Sequence, residues 1–344
     1  MLLLRPLSFN DIQGLEHLAV ISGGSMTTLP ANRDHLGELI NGTQQSLRKS
    51  VEQPGDESYH FVLEDTETGS IIGVSGIDAT VGISTPFFSY RTEKVVHASN
   101  EMQIHNQIPA LHLCQDFTGV ARLCTLFLDE QHRTPSNLHL LSRARLLFIA
   151  QYPERFAPRL IAELQGVVDE NNRSPFWESL GRHFFDMDFT KANYLTGINS
   201  KGFIADLMPH YPVYVPLLSQ EAQAALGKPR PDMQDVMTLL ENEGFSHRGY
   251  IDIFDAGPTL EARTDCVRSI CQNKQVAVAI GEPPADHSGL RQALISNNSL
   301  QNYRCLISLI DPQQPLISAE QAELLQVAEG DQIRLLLLND SELG

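Results

Sequence analysis

Polar residues near the ends of predicted strands are the first candidates for a functional site. Glu170 follows a strand expected over 159–168. A carboxylate there can accept a proton or pair with a cation, although most strand-end carboxylates are only solvated. Arg133 stands in the loop HRTPSNLHLL, before a helix expected from Leu138. Its guanidinium can bind a phosphate there, or it is a solvated loop charge.

Other catalytic patterns are absent from the sequence. His105 and His112 are spaced to share a helix face, but no Asp or Glu stands at metal-ligand spacing with them. No HExxH motif occurs either, so no metal site is expected. No serine lies in a GxSxG context, which argues against a serine hydrolase. The five cysteines are scattered without a CxxC pair and are expected to be reduced thiols.

The composition limits the partners of the chain. Its 344 residues predict about two domains. Against 42 Asp and Glu there are only 25 Lys and Arg, a net charge of −17, so we expect no nucleic-acid partner and no anionic membrane surface. No apolar run approaches the roughly 18 residues of a membrane span, and the first residues lack a signal-peptide core. We therefore expect a cytoplasmic protein.

Hydrophobic periodicity predicts a strand, two helices and a hairpin at the start of the chain. Residues 2–5 form a strand, Asn10 begins a helix whose apolar residues recur to residue 21, and a second helix runs over about 32–51. The runs YHFVLED and SIIGVSGIDA flank a short turn that contains Gly69, which is typical of a β-hairpin.

The segment after residue 120 predicts a strand–loop–helix–strand unit. LCTLFL, at 123–128, is a continuous apolar run, typical of a strand buried on both faces. A polar loop, a helix that ends before Pro153, and the strand at 159–168 follow. Such a unit puts a helix N-terminus at the carboxyl end of a strand, which is a natural phosphate site.

Short apolar runs after about residue 260 change the pattern. QVAVAIG, YRCLISLI and DQIRLLLL are each of strand length and are separated by turns. We therefore predict a mixed α/β fold with a core over 1–260 and a small β-rich subdomain over 261–344.

The order of these elements resembles that of the Gcn5-related acyl-CoA N-acyltransferases, and within them the chain resembles the arginine N-succinyltransferase family. The similarity runs in register from Arg5 to about Arg263. The matching segments are GGSMTTLPAN, FVLEDTETG, VHASNE, LCTLFLD, LLSRARLLFIA, DENNRSPFWESLGRHFFDMDF, FIADLMPHYPVYVPLLSQEAQAALG and GYIDIFDAGPTLEA.

The resemblance implies an activity and its partners. It implies transfer of a succinyl group from succinyl-CoA to the α-amino group of L-arginine, in a bacterial route of arginine catabolism. Succinyl-CoA is then a co-substrate, with no other cofactor, and the chain is expected to form a homo- or hetero-oligomer with a homologous subunit. An acidic pocket is expected to hold the guanidinium of the acceptor.

The resemblance also implies which residues bind succinyl-CoA. Leu126 matches a residue of the family that binds succinyl-CoA, although its side chain can equally be part of the core. Arg133 and Asn137 match the family's pyrophosphate loop. Ser136 and Leu138 stand where glycine is usual in that loop, and a leucine side chain there can block the approach of a phosphate.

The expected reaction needs a base for the amine, an N–H for the oxyanion and an acid for the leaving thiolate. Glu170 is the candidate base. Arg230 stands where the family has a histidine that acts as proton donor. Because arginine does not exchange protons at neutral pH, Arg230 either stabilises the thiolate by its charge or is a surface arginine.

These departures leave three hypotheses open. The first is an active arginine N-succinyltransferase. The second is a non-catalytic, acyl-CoA-binding subunit that assembles with an active homologue. The third is an acyltransferase with another amine acceptor.

Overall fold

The first strand and the first two helices lie where the hydrophobic pattern predicts them. A computed structural model describes residues 1–23, 26–198, 206–282, 289–313 and 315–339. In it β1 spans Leu2–Pro6, α1 spans Ile12–Ile21 and α2 spans Arg33–Arg48. The Asn32 side chain caps α2 by accepting the backbone N–H of His35 at 3.1 Å. Both helices bury their apolar faces against the following hairpin, as amphipathic helices do.

Most of the strands in the described residues form one long sheet. The further strands are β2 (Ser58–Asp65), β3 (Ser70–Asp78), β4 (Ser89–Ser99), β5 (Ile104–Cys114), β6 (Ala121–Leu128), β7 (Arg159–Glu163), β8 (Val213–Tyr214), β9 (Ser246–Ile251), β10 (Pro258–Arg263), β11 (Lys274–Ala277), β12 (Ala279–Ile280), β13 (Arg291–Ser296), β14 (Cys305–Ile310), β15 (Leu316–Ile317) and β16 (Gln332–Leu337). The order in the 14-stranded sheet is β11-β16-β13-β14-β1-β2-β3-β6-β7-β10-β9-β4-β5-β8. Within it β6 and β7 are parallel, whereas β12 and β15 pair with each other apart from it.

The helix α3 lies at the centre of the main core. The helices after α2 are α3 (Pro135–Gln151), α4 (Arg182–Phe185), α5 (Phe189–Ile198), α6 (Gln220–Ala225), α7 (Gln234–Asn242), α8 (Arg268–Gln272) and α9 (Ala319–Leu325). Phe148 of α3 packs edge-on against Phe61 and Tyr303, with ring centroids 5.1 Å apart in both pairs. Tyr303 also donates a hydrogen bond to the carbonyl of Ala144 at 2.8 Å. One core therefore joins α3 to strands from both parts of the sequence.

The C-terminal strands extend the main sheet. β14 pairs antiparallel with β1, with Leu4 opposite Cys305. The predicted mixed α/β class and the β-rich C-terminal region are confirmed, with α9 as an addition that the sequence did not indicate. The division at residue 260 stays a prediction, and that residue lies inside β10.

Two expectations about local structure are wrong. The strand expected over 159–168 ends at Glu163, because the chain then turns and makes its next backbone contacts through loops. His105 and His112 lie on β5 rather than on a helix. Residues seven apart on a strand point to opposite faces, so these two cannot share a ligand.

Two further properties concern only the residues that the structure describes. No group of three or more His, Cys, Asp or Glu side chains is placed there to hold a metal ion. In the same residues, no helix combines the length and the apolar character needed to cross a membrane.

Candidate active site

A cleft opens where the parallel strands β6 and β7 separate. Their pairing ends with Leu123 opposite Ala162. Beyond that point β6 continues to Leu128, whereas β7 ends at Glu163. The cleft is lined by residues of both strands and of the helices beside them.

The wall of the cleft on β6 carries a β-bulge. Gly76 of β3 lies opposite Cys124, whereas Val74 lies opposite Phe127, so β6 has one extra residue. Thr125 within the bulge has a φ of 52°, which is rare for a β-branched residue. The bulge therefore turns the backbone of β6 at the point where it borders the cleft.

A buried histidine supports the bulge from behind. His60 Nε2 lies 3.3 Å from Thr125 Oγ1, and burial lowers the pKa of His60 to about 4, so the ring is neutral. A Cβ at Gly76 would lie only 2.6 Å from the His60 ring and 2.9 Å from Cys124 Sγ. A side chain at residue 76 is therefore excluded as long as the bulge keeps this shape.

Two carboxylates line the opposite wall. Asp255 Oδ2 accepts the N–H of Gly166 and its Oδ1 accepts the N–H of Gly257, both at 2.8 Å. Asp252 Oδ1 accepts the N–H of Phe254 at 2.7 Å and that of Asp255 at 3.1 Å. Burial, and then the charge of Asp252, raises the pKa of Asp255 to about 8.

The carboxylates are held by a close approach of two backbone segments. A Cβ at Gly166 would lie 2.2 Å from the carbonyl oxygen of Asp255, and one at Gly257 would lie 2.0 Å from that of Leu164. Both positions therefore require glycine. Sequence reasoning did not select Asp252 or Asp255. The available signal was a carboxylate pair three residues apart, followed closely by glycine, in the segment GYIDIFDAG.

Two arginines complete the cleft. Arg122 is paired with Asp78 at 2.7 Å and lies 3.4 Å from Glu163. Arg145, on α3, is buried and donates from Nη1 to the carbonyls of Gly76 and Cys124, each at 3.1 Å. The cleft is thus lined by two guanidinium groups and by the acidic side chains of Glu163, Asp252 and Asp255.

Known proteins match nearly the whole chain in sequence. A sequence profile described as "Arginine N-succinyltransferase beta subunit" matches residues 2–269, and a second profile, for the C-terminal domain of the same beta subunit, matches residues 274–336. The "Arginine N-succinyltransferase" of Escherichia coli (strain 55989 / EAEC) is 41% identical over 340 residues, 98% of each chain. The chain belongs to the arginine N-succinyltransferase family.

Further members of the arginine N-succinyltransferase family also match the chain over nearly its whole length. The protein of Salmonella schwarzengrund (strain CVM19633) is 42% identical over 341 residues, 98% of each chain. The solved structure of "arginine/ornithine succinyltransferase subunit AI from Pseudomonas aeruginosa" superimposes with a TM-score of 0.91 at 40% identity, covering 99% of each chain. The resemblance seen in the sequence is therefore confirmed.

The residues that the family resemblance selected do not all lie in the cleft. Leu126 lines the cleft, and its partly buried side chain also packs against the main core, so both of its expected roles fit its position. Leu138 is buried in that core. Its side chain therefore does not occupy the loop before α3, which removes the obstruction expected there.

Arg133 and Asn137 lie together at the N-terminus of α3. Thr134 caps the helix by accepting the N–H of Asn137 at 3.2 Å. Asn137 in turn donates to the carbonyl of His132 at 2.8 Å, which fixes the turn. Arg133 donates to Asp235 and to the carbonyl of Asp232, so its charge is already paired.

Arg230 lies close to the same corner, whereas Glu170 does not. The Arg230 guanidinium is paired with the Asp232 carboxylate, with Nη2 2.7 Å from Oδ2. Its backbone N–H donates to the carbonyl of Gln165, a residue that lines the cleft. Glu170 is exposed in the turn after Asp169 and does not line the cleft.

Proposed function

We propose that this chain transfers the succinyl group of succinyl-CoA to the α-amino nitrogen of L-arginine. The observation that carries this is the cleft at the β6–β7 opening, which is lined by both carboxylates and guanidinium groups. It occurs in a chain that is 41% identical over 98% of its length to an arginine N-succinyltransferase. Such a lining offers partners both for a cationic acceptor and for an anionic acyl donor.

The reaction needs no acyl-enzyme. The neutral α-amino nitrogen attacks the thioester carbonyl carbon, a C–N bond forms, and the C–S bond breaks. The nitrogen loses one proton to a base, and the departing coenzyme A thiolate gains one proton. The protein therefore has to supply a base, a stabilising group for the oxyanion and a stabilising group for the thiolate.

For the donor, the proposed contacts are Leu126, Arg133 and Asn137. Leu126 follows the bulge residue Thr125, where the backbone of β6 borders the cleft. Arg133 and Asn137 lie at the N-terminus of a 17-residue helix, where the helix dipole favours a pyrophosphate. Binding there requires Arg133 to exchange Asp235 for the diphosphate.

For the acceptor, we propose Asp255 as the base and Asp252 as the partner of the substrate cation. A carboxyl with a pKa near neutrality can both take and release a proton at working pH, and Asp255 lines the cleft. Glu170, expected from the sequence, is the alternative base, but it lies outside the cleft. Arg230 is proposed to stabilise the thiolate by its charge, which requires its guanidinium to exchange Asp232 for the sulfur.

The non-catalytic alternative is not favoured, because relatives named for the enzymatic activity match the chain from end to end. We propose that the chain works in the cytoplasm and assembles with a second copy or a homologous subunit. The description of the Pseudomonas aeruginosa protein as a subunit supports the assembly.

The direct test is thiol release from succinyl-CoA by the purified protein with a panel of amines. We expect release with L-arginine and a product heavier than arginine by one succinyl group, measured by mass spectrometry. Arginine-independent thiol release, or none at all while lysine or another amine reacts, would contradict the proposed function.

A further inference from the structure

Arg145 is a buried guanidinium in the wall of the cleft. Only 2% of its surface is exposed, and it lies beside Cys124 and Thr125 of the bulge. All of its hydrogen-bond acceptors are neutral: the carbonyls of Gly76, Cys124 and Ser142, and the hydroxyl of Ser142. No carboxylate of the described residues lies within ion-pair distance of it.

Two other arginines of this region have carboxylate partners. Arg143, two residues earlier on α3, is 2.8 Å from Glu243, and both side chains are fully buried. Arg122, which also lines the cleft, is paired with Asp78. A buried charge without a counter-charge is unfavourable, so an anion that reaches Arg145 is bound more strongly than one that reaches Arg122.

The guanidinium of Arg145 also keeps one donor. Four of its five N–H groups already donate hydrogen bonds. The Nε group and one N–H of Nη2 donate to Ser142, and the two N–H groups of Nη1 donate to Gly76 and Cys124. One N–H of Nη2 is left for a further acceptor. Desolvation lowers the pKa of Arg145 to about 10, so it remains protonated at neutral pH.

We propose that Arg145 binds the free carboxylate of the succinyl group and thereby selects a dicarboxylic acyl donor over a monocarboxylic one. This inference rests on the proposed function for the identity of the donor. The Nη1 contact with Cys124 puts the guanidinium beside the bulge, next to the backbone of Leu126 where the thioester is proposed to bind. The succinyl carboxylate is two methylene groups from the thioester, so it extends into the wall that Arg145 forms.

The test compares succinyl-CoA with butyryl-CoA by calorimetry, without any acceptor. Butyryl-CoA has the same chain length and carries a methyl group in place of the carboxylate. We expect the unchanged protein to bind succinyl-CoA about 10- to 100-fold more tightly, the range for hydrogen bonds to charged groups. In Arg145→Gln this ratio should fall to about 1 through weaker binding of succinyl-CoA, and Arg145→Lys should keep part of it.

Arg155→Gln is the matched control. Arg155 is also buried and donates only to neutral oxygens, those of Ser46, Tyr59 and Lys49, but it does not line the cleft. It should lose stability and keep the binding ratio. A ratio of about 1 in the unchanged protein, or an unchanged ratio in Arg145→Gln, would overturn the inference.

A second measurement is made on the unchanged protein, and a variant is needed only to assign the resonance. With ¹⁵N-labelled arginine, succinyl-CoA should shift the guanidinium resonance of Arg145, assigned with Arg145→Lys, and butyryl-CoA should leave it in place. Equal shifts with both ligands would count against Arg145. Neither experiment needs the acceptor L-arginine or turnover. A negative result would therefore contradict the role of Arg145 without contradicting the proposed reaction.

Discussion

Arg133 and Asp235 form a bidentate ion pair that joins the N-terminus of α3 to the start of α7. Nη2 of Arg133 lies 2.8 Å from Oδ1 of Asp235, and Nε lies 3.2 Å from Oδ2. A diphosphate at this helix N-terminus has to compete with Asp235 for the same guanidinium. In the proposed complex, coenzyme A binding is therefore linked to the position of α7.

Removing Asp235's charge should tighten coenzyme A binding. We expect Asp235→Asn to lower the Kd for coenzyme A by up to about 5-fold, the value of a partly exposed ion pair.

Arg133→Ala should raise the Kd for succinyl-CoA and for butyryl-CoA by the same factor, because the diphosphate is common to both. Arg173→Ala, which breaks the exposed pair with Asp169, serves as the control. An Arg133→Ala variant with unchanged Kd would show that the residue only ties α3 to α7. Calorimetry measures each Kd.

Substitutions of Arg230 should show whether the reaction is limited by the lack of a general acid. We expect Arg230→His to raise kcat, because a proton donor commonly contributes about 10²–10⁴-fold. The gain should disappear as the pH rises above about 6.5, where histidine loses its proton. Arg230→Ala should lower kcat by removing the positive charge. Steady-state thiol release measures all three proteins. If neither Arg230→His nor Arg230→Ala changes kcat while succinyl-CoA still binds, the residue has no part in the departure of the thiolate.

Asp255 should control the dependence of turnover on pH. Because Asp255 acts as a base only when ionised, kcat/KM for arginine should rise as the pH increases through about 8. Asp255→Asn should lower kcat by about 10²–10⁴-fold and leave the Kd for succinyl-CoA unchanged. Glu170→Gln is the control and should keep full activity. The reverse result, with Glu170→Gln inactive and Asp255→Asn active, would assign the base to Glu170.

The same carboxyl should make stability fall with rising pH. An unfolded aspartate ionises near its ordinary pKa of about 3.9, whereas folded Asp255 keeps its proton up to about 8. Between these values the folded state binds more protons, so the free energy of unfolding decreases as the pH rises, by at most about 1.4 kcal/mol per pH unit. Urea unfolding across this range should show the slope reduced in Asp255→Asn. An unchanged slope in that variant would mean that Asp255 is already ionised.

Asp252 should set the preference for arginine over lysine. Its Oδ1 is used by backbone N–H groups, which leaves Oδ2 for a ligand. A planar guanidinium can bridge neighbouring carboxylates, whereas an ammonium acts as a point charge. We expect Asp252→Asn to raise KM for arginine by about 10-fold or more, with kcat less affected. Equal values of kcat/KM for arginine and lysine in the unchanged protein would rule this out.

The sequence was sufficient for elements whose own periodicity is strong. The first two helices, the β2–β3 hairpin and α3 were all predicted near their observed bounds. The β4–β5 hairpin was not predicted, because its outer half is mostly exposed and its apolar and polar residues do not alternate regularly. The helix spacing of His105 and His112 was misleading for the same reason.

The site could be predicted only in part, because its shape depends on the order of strands. The bulge at Thr125 is supported by His60 and Arg145, which are distant in sequence. Asp255 contacts Gly166 because β10 pairs with β7, and no local pattern indicates that pairing. Glu170 was selected because the strand was expected to run to residue 168, five residues beyond its observed end at Glu163.

The pairing of β1 with β14 has a consequence for the order in which the chain is synthesised. Leu4 leaves the ribosome long before Cys305, so this edge of β1 has no partner while most of the protein is being made. An open strand edge invites aggregation, and a charge or a proline on it is a common protection. β1 carries both, in Arg5 and Pro6, and Arg5 can form its ion pair with Asp11 as soon as that nearby residue has emerged. Arg5 and Pro6 thus protect the exposed edge of β1 until β14 has been synthesised and can pair with it.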